Sequence, residues 1–175
     1  TGAKSGSVDH WRDGIVTRGV LYDVPRFRGI DHVPYDEPVH GWELEDIAKA
    51  QGVEPRSGDA VIIRSGAAAF QRAVESGTLE LPGDGSSVTR AVMGQGAPPR
   101  PGVHASALEF LWEYNAAVLV WDLQEAWGQG FEGNGGAIHQ IALPYMGLPL
   151  LDNANLEAAG EACAELERYE FQFIC

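Results

Sequence analysis

The run Ala60-Val61-Ile62-Ile63-Arg64, residues 60–64, decides the fold of this chain. Four consecutive apolar residues predict a short strand that is buried on both faces, and such strands lie in the interior of a sheet. The turn Ser57-Gly58-Asp59 comes directly before it. This run is therefore the predicted central strand of the sheet.

Segments on both sides of this strand alternate between strand and helix patterns. The predicted strands are Gly14–Val24, Ala116–Trp121 and Arg168–Cys175. The predicted helices are Trp42–Gln51, Ala67–Ser76, Ala105–Tyr114 and Leu156–Leu166, and a further periodic run starts at Ala137. Residues 78–101 and 124–136 are predicted to be loops. This alternation predicts an α/β fold, a single domain over residues 1–175, with a mixed sheet and flanking helices.

Composition excludes several classes of partner. Twelve basic and 25 acidic residues give a formal charge of -13, which repels nucleic acids and anionic membranes. No run approaches the roughly 20 apolar residues of a membrane span, and no signal peptide is visible. Two cysteines, Cys163 and Cys175, form no zinc motif or disulfide framework, so we expect a cytoplasmic protein. Because the chain begins with Thr1, we also expect an upstream segment.

One histidine and one aspartate are the first candidates for chemistry. His139 lies in an apolar run, and Asp152 follows thirteen residues later. Imidazole and carboxylate together suit Zn²⁺ or Mn²⁺. The alternative interpretation is a hydrogen-bonded core histidine and an aspartate that caps the following helix.

Two further residues stand where α/β proteins collect functional groups. Asp122 directly follows the strand that ends at Trp121, at the kind of strand end where ligands bind. His104 comes just before a predicted helix, where it could face a pocket. Each has a structural alternative: Asp122 as a turn residue, and His104 as a helix cap.

Four collinear segments resemble the cyclase / kynurenine-formamidase-like family of metal-dependent hydrolases, which includes bacterial kynurenine formamidase and isatin hydrolase. They are DHWRDGIVTRGVLYDVPRFRGID (Asp9–Asp31), LEDIAKAQGVEPRSGDAVIIRSG (Leu44–Gly66), PGVHASALEFLWEYNAAVLVWD (Pro101–Asp122) and AIHQIALPYMGLPLLDNANLEAAGEACAELERYEFQF (Ala137–Phe173). The chain is similar to the middle and C-terminal portion of such an enzyme.

The resemblance implies a swivelling β/β/α fold and hydrolysis of a C–N bond in a small amide, formamide or cyclic amide. Family members hold a divalent metal, Zn or Mn, mostly through a motif of the form H-x-G-T-H-x-D-x-P-x-H. The sequence contains no such motif. By its order in the family the motif precedes residue 1, so we expect a truncated chain that aggregates or self-associates as a homo-oligomer.

The resemblance also places individual residues. His139 matches a family histidine, which implies a catalytic or metal-binding role, and Asp152 lies where many members carry a metal-binding glutamate. The matching segments also hold Trp11 and Arg64, which join His104 and Asp122 as candidate residues for binding a small-molecule amide substrate. Because Asp is one methylene shorter than Glu, the resemblance does not carry second-metal binding over to Asp152. Because the sequence lacks the family's primary metal ligands, a non-catalytic remnant with a binding or oligomer-forming role is the alternative function.

Other histidines and the tryptophans carry weaker expectations. His32 and His40 match nothing in the family and are expected at the surface. Trp112, Trp121 and Trp127 could line an aromatic pocket or belong to the core.

Overall fold

A computed structural model describes residues 7–80, 101–126 and 136–175. Its centre is a five-stranded sheet with the strand order β4-β3-β2-β1-β5. The strands are β1 (Val16–Asp23), β2 (Ala60–Arg64), β3 (Val118–Trp121), β4 (Leu150–Leu151) and β5 (Glu170–Ile174). Strands β1 to β4 are parallel and β5 pairs antiparallel with β1. The predicted mixed sheet of an α/β protein is therefore confirmed.

Helices flank this sheet. They are α1 (Val24–Arg28), α2 (Gly41–Ala50), α3 (Ala67–Glu75), α4 (Ala107–Glu113), α5 (Ala137–Ile141) and α6 (Glu157–Glu165). A 3₁₀ helix at Val8–Trp11 precedes β1, and a π-helical segment at Ala142–Met146 continues α5. None of the helices among the described residues has the length and apolar character to cross a bilayer.

Strand β2 is central because both of its edges and both of its faces are covered. Val61 pairs with Val20 of β1 on one side and with Leu119 of β3 on the other. Ala60 to Ile63 are all at most 2% exposed. Alternate residues then divide the core in two: Val61 and Ile63 face the side of α2, α4 and α5, whereas Ile62 faces the side of α6.

Several local expectations need correction. The predicted strand Gly14–Val24 stops at Asp23, because Asp23 accepts a hydrogen bond from the backbone N–H of Arg26 and starts α1, which has a proline in its first turn. The two-residue strand β4 was not predicted at all. Trp112, expected in an aromatic pocket or in the core, is 69% exposed on α4. Trp121 is fully buried, and Trp127 lies outside the described residues.

Parallel strands bring the carboxyl ends of β1 to β4 to one edge of the sheet. Beyond this edge, Val39 bridges to Val103, and Val103 bridges in parallel to Glu125. The short segments around Val39, Val103 and Glu125 therefore lie side by side above the strand ends. Every candidate residue that follows β2, β3 or β4 is carried to the same edge.

Candidate functional site

His139, Asp152 and a third residue, Glu125, form a linked group at the carboxyl edge. The Nδ1 atom of His139 lies 2.7 Å from Oε2 of Glu125, and its Nε2 atom lies 3.0 Å from Oδ2 of Asp152. The side chain of Glu125 is 5% exposed, whereas those of His139 and Asp152 are 29% and 31% exposed. The group therefore runs from a buried carboxylate, through an imidazole, to a carboxylate that water can reach.

Strands β3 and β4 bring Asp152 to this place. Leu151, the last residue of β4, pairs with Val120, so Asp152 emerges beside the end of β3. The indole Nε1 of Trp121 donates to Oδ1 of Asp152 at 2.6 Å, and Nε2 of Gln124 donates to Oδ2 at 3.1 Å. Asp152 does not cap α6, because that helix begins at Glu157 and has Leu156 at its N-cap position. The capping alternative for Asp152 is wrong.

His139 reaches the same point from α5. This helix starts after Gly136, whose backbone is left-handed with φ of 98°, a conformation that glycine adopts without strain. The imidazole ring of His139 lies over the buried ring of Trp121, with 5.6 Å between the ring centroids and 33° between the planes. Trp121 therefore contacts the imidazole through its ring and the carboxylate through its N–H. The histidine is neither isolated in hydrocarbon nor on a separate face from Asp152.

The two carboxylates set the electrostatics of the group. The hydrogen bond to Glu125 outweighs the effect of burial and, with the bond to Asp152, raises the pKa of His139 to about 9. For Asp152, burial alone would raise the pKa, but the hydrogen bonds from Trp121 and His139 outweigh it and lower the pKa. Without a metal, the ring is therefore an imidazolium held between two carboxylates at neutral pH.

The donor atoms suit a divalent metal, but the described residues do not complete a site. Metal-binding histidines commonly donate their second ring N–H to a carboxylate, and Glu125 stands in that position behind His139. Nε2 of His139 and Oδ2 of Asp152 could then serve as two ligands. Within residues 7–80, 101–126 and 136–175, no group of three or more His, Cys, Asp or Glu side chains could hold a metal ion. A complete metal site would need ligands beyond these described residues.

Asp122 lies at the same edge but its carboxylate is fully engaged by the backbone. It accepts hydrogen bonds from the N–H groups of Ser65, Gly66 and Ala67 and of its neighbour Leu123, at 2.7 to 3.0 Å. Burial raises its pKa, and these four bonds oppose that rise. The geometry is that of a turn-holding aspartate, which ties the segment after β2 to the end of β3.

His104 belongs to a separate cluster with His40. The ring centroids of the two histidines are 4.2 Å apart, and Trp42 also stacks on His40, with 5.7 Å between the ring centroids. The hydroxyl of Ser106 lies 3.0 Å from Nδ1 of His104 and 3.3 Å from Nδ1 of His40. Burial, and the charge of His40, lower the pKa of His104. The expectation that His40 is a plain surface residue is wrong, because its ring is half-buried in this stack.

The remaining candidates lie away from His139. Arg64 pairs with Asp23 at 2.7 Å and with Glu157 of α6 at 2.8 Å, on the α6 side of the sheet. Its side chain also packs against α6 so closely that a Cβ at Gly160 would come within 2.7 Å of Cδ. Trp11 precedes β1 and is half-buried near the amino end of that strand. His32, also half-buried, makes an edge-on ring contact with Phe70.

Glu125 is the member of this group that the sequence does not predict. Its position in a predicted loop gave no reason to expect burial, and fourteen residues separate it from His139. Its backbone is fixed by the bridge to Val103, and this bridge turns the side chain toward α5. Its neighbours Gln124 and Ala126 give no signal of burial either.

Comparison with known proteins identifies the family of this chain. Residues 2–126 match the family model Cyclase, described as “Putative cyclase”. The crystal structure of a novel cyclase is similar over 89% of this chain, with 26% sequence identity and a TM-score of 0.65. The chain covers 46% of that structure, so it spans about half of its length. No curated protein matches the chain. On the family match over residues 2–126 and the shared fold, this chain belongs to the cyclase family.

Proposed function

We propose that the chain carries the His139 and Asp152 part of a divalent-metal centre in a hydrolase that acts on a C–N bond of a small amide, formamide or cyclic amide. The supporting observation is the 3.0 Å approach of Nε2 of His139 to Oδ2 of Asp152, with Glu125 behind the imidazole. Two such donors side by side, one of them backed by a buried carboxylate, are typical of the ligands that Zn²⁺ and Mn²⁺ prefer. Cyclase-family membership supports an enzyme.

A bound Zn²⁺ or Mn²⁺ would polarise the substrate carbonyl and lower the pKa of a coordinated water. The residues of this chain have distinct tasks in that scheme. Nε2 of His139 must lose its proton before it can act as a ligand. Until then, Nε2 donates a hydrogen bond to Asp152. Trp121 and Gln124 hold the Asp152 carboxylate in place.

A second candidate function is a binding or oligomer-forming domain without catalysis. It is favoured by one observation: both ring nitrogens of His139 are already engaged by carboxylates, and the described residues offer no third ligand. A closed ion triad of this kind can stabilise a fold without binding anything. The two functions differ in metal content and in turnover.

The deciding experiment measures both. The purified chain is analysed for bound metal, titrated with Zn²⁺ and Mn²⁺ by calorimetry, and assayed on a panel of aryl formamides and lactams that includes N-formylkynurenine and isatin. His139→Gln and Asp152→Asn should each weaken metal binding and hydrolysis together, whereas Asp36→Asn, an exposed aspartate, should change neither. A chain that binds neither metal and turns over no substrate would refute the hydrolase proposal and favour the binding domain.

A further inference from the structure

Glu125 is a buried carboxylate whose two oxygens have different surroundings. Its residue is 4% exposed, and Oε2 lies 2.7 Å from Nδ1 of His139. Oε1 is also buried, and none of the described residues donates a hydrogen bond to it. A Cβ atom added at Gly136 would come within 3.2 Å of Oε1. Among the described residues, the Glu125 carboxylate therefore has one hydrogen-bond partner, the imidazole of His139.

Two carboxylates, Glu125 and Asp152, compete for the one proton of a neutral His139 ring, because an ionised carboxylate only accepts hydrogen bonds. Glu125 is the stronger competitor: it is buried and lies 2.7 Å from Nδ1, whereas Asp152 is 31% exposed, lies 3.0 Å from Nε2 and already accepts from Trp121 and Gln124. The proton therefore stays on Nδ1. When the ring is neutral, its lone pair then lies on Nε2, the nitrogen that faces Asp152. The ring is also held in orientation, because Trp121 packs against its face. The tautomer with its lone pair on Nε2 is the one that can bind a metal next to Asp152.

The last residue of β3 and the short segment after it hold both His139 and Asp152 in place. Trp121 and Gln124 donate hydrogen bonds to the two oxygens of Asp152, and Glu125 accepts one from His139. The bridge between Glu125 and Val103 fixes the end of this segment. The positions of imidazole and carboxylate are thus set together by residues 121–125, and Glu125 is the charged member of that segment directed at His139.

We propose that Glu125 is a positioning residue of the cyclase site, which fixes the tautomer and orientation of His139 so that Nε2 presents its lone pair beside Asp152. The expected effect of Glu125 on metal binding rests on the proposed function. Glu125 itself contacts neither substrate nor metal in this scheme, and it acts through His139. A residue with this role should change metal affinity by a limited factor, because the two ligands themselves remain.

The test compares Glu125→Gln and Glu125→Asp with Glu113→Gln, an exposed glutamate on α4 that serves as the matched control. Zinc affinity is measured by calorimetry at pH 8. The ring nitrogens of His139 are followed by ¹⁵N NMR at pH 10 in EDTA, where the neutral ring reports its tautomer. Circular dichroism checks that each variant is folded, and Glu125→Asp serves if the glutamine variant does not fold.

We expect Glu125→Gln to weaken zinc binding about 10- to 100-fold and Glu125→Asp to weaken it less. In the NMR spectra, Nδ1 should carry the proton in the parent chain, whereas Glu125→Gln should populate both tautomers, because an amide can either donate or accept. An unchanged tautomer in folded Glu125→Gln would overturn the proposal. If the parent chain binds no zinc, the proposed function fails, but the NMR comparison still decides the role of Glu125.

Discussion

The protonation of His139 gives the sharpest test of the site. Carboxylates lie 2.7 Å from Nδ1 and 3.0 Å from Nε2, and only a doubly protonated ring can donate to both. The hydrogen bond to Glu125 accordingly raises the pKa of His139 to about 9 from an ordinary 6.5. Because the pKa is higher in the folded state, the protonated ring stabilises the fold. That stability is fully present below pH 6.5 and is lost as the pH rises through 9.

The size of this effect follows from the difference between the two pKa values. At 1.36 kcal/mol per pH unit, raising the pKa from 6.5 to about 9 corresponds to about 3 kcal/mol. The imidazole of His139 is 29% exposed, and its partner Asp152 is 31% exposed, so solvent screens part of the interaction. We therefore expect about 1–2 kcal/mol in the free energy of unfolding.

Two measurements in EDTA check this prediction. Histidine Cε1–H signals followed by NMR should show His139 titrating near pH 9, while His104, whose pKa burial lowers, should titrate below 6.5 in the same spectra. The free energy of unfolding, measured in urea, should fall between pH 6 and pH 10 in both proteins. The fall should be larger in the parent chain than in His139→Gln, by the amount given above. A His139 signal that titrates near 6.5, or equal losses in the two proteins, would refute the geometry of the triad.

Three further outcomes are expected. Asp122→Ala should lower the free energy of unfolding by about 3 kcal/mol in urea titrations, because four backbone N–H groups, three of them buried, lose their charged acceptor; a loss below about 1 kcal/mol would contradict that role. Gly160→Ala should cost about 1–3 kcal/mol by the same measurement, since its new Cβ would displace the Arg64 side chain, and an unchanged unfolding midpoint would disprove the close contact. Zinc binding near pH 7 should release about one proton from His139, seen by calorimetry in buffers of different ionisation enthalpy; buffer-independent heats would argue against Nε2 as a ligand.

The sequence predicts those elements of the fold that carry a regular pattern. The apolar run at 60–64 is the central strand β2, and the helical periodicity at 42–51 corresponds to α2. Strand β4 could not be foreseen, because two residues are too short for any alternation and its identity comes only from pairing with β3. Helix α1 is not predicted, because a proline such as Pro25 is typical both of the end of a strand and of the first turn of a helix.

The candidate site, like the fold, is predicted by the sequence only in part. The nearness of His139 and Asp152 was an expectation from resemblance, and the structure brings the two side chains within 3.0 Å. Glu125 could not be identified, because its contact with His139 depends on the path of the intervening chain and on the bridge to Val103, which follow no spacing rule. The sequence does not separate a binding role of Asp122 from a turn role, because both fit an aspartate at the end of a strand. The turn role depends on backbone N–H groups from a different segment of the chain, such as that of Ser65.

The hydrogen bonds of Asp122 also restrict what can bind at the beginning of α3. In many α/β proteins the first turn of the helix after a parallel strand receives the phosphate of a nucleotide or cofactor, because unpaired N–H groups converge there. Here the chain inserts its own carboxylate onto the N–H groups of Ser65, Gly66 and Ala67. A nucleotide phosphate would have to displace a buried aspartate to reach them. This built-in anion closes the turn after β2 to phosphorylated ligands, whereas His139 and Asp152 at the β3–β4 end of the edge remain accessible to solvent.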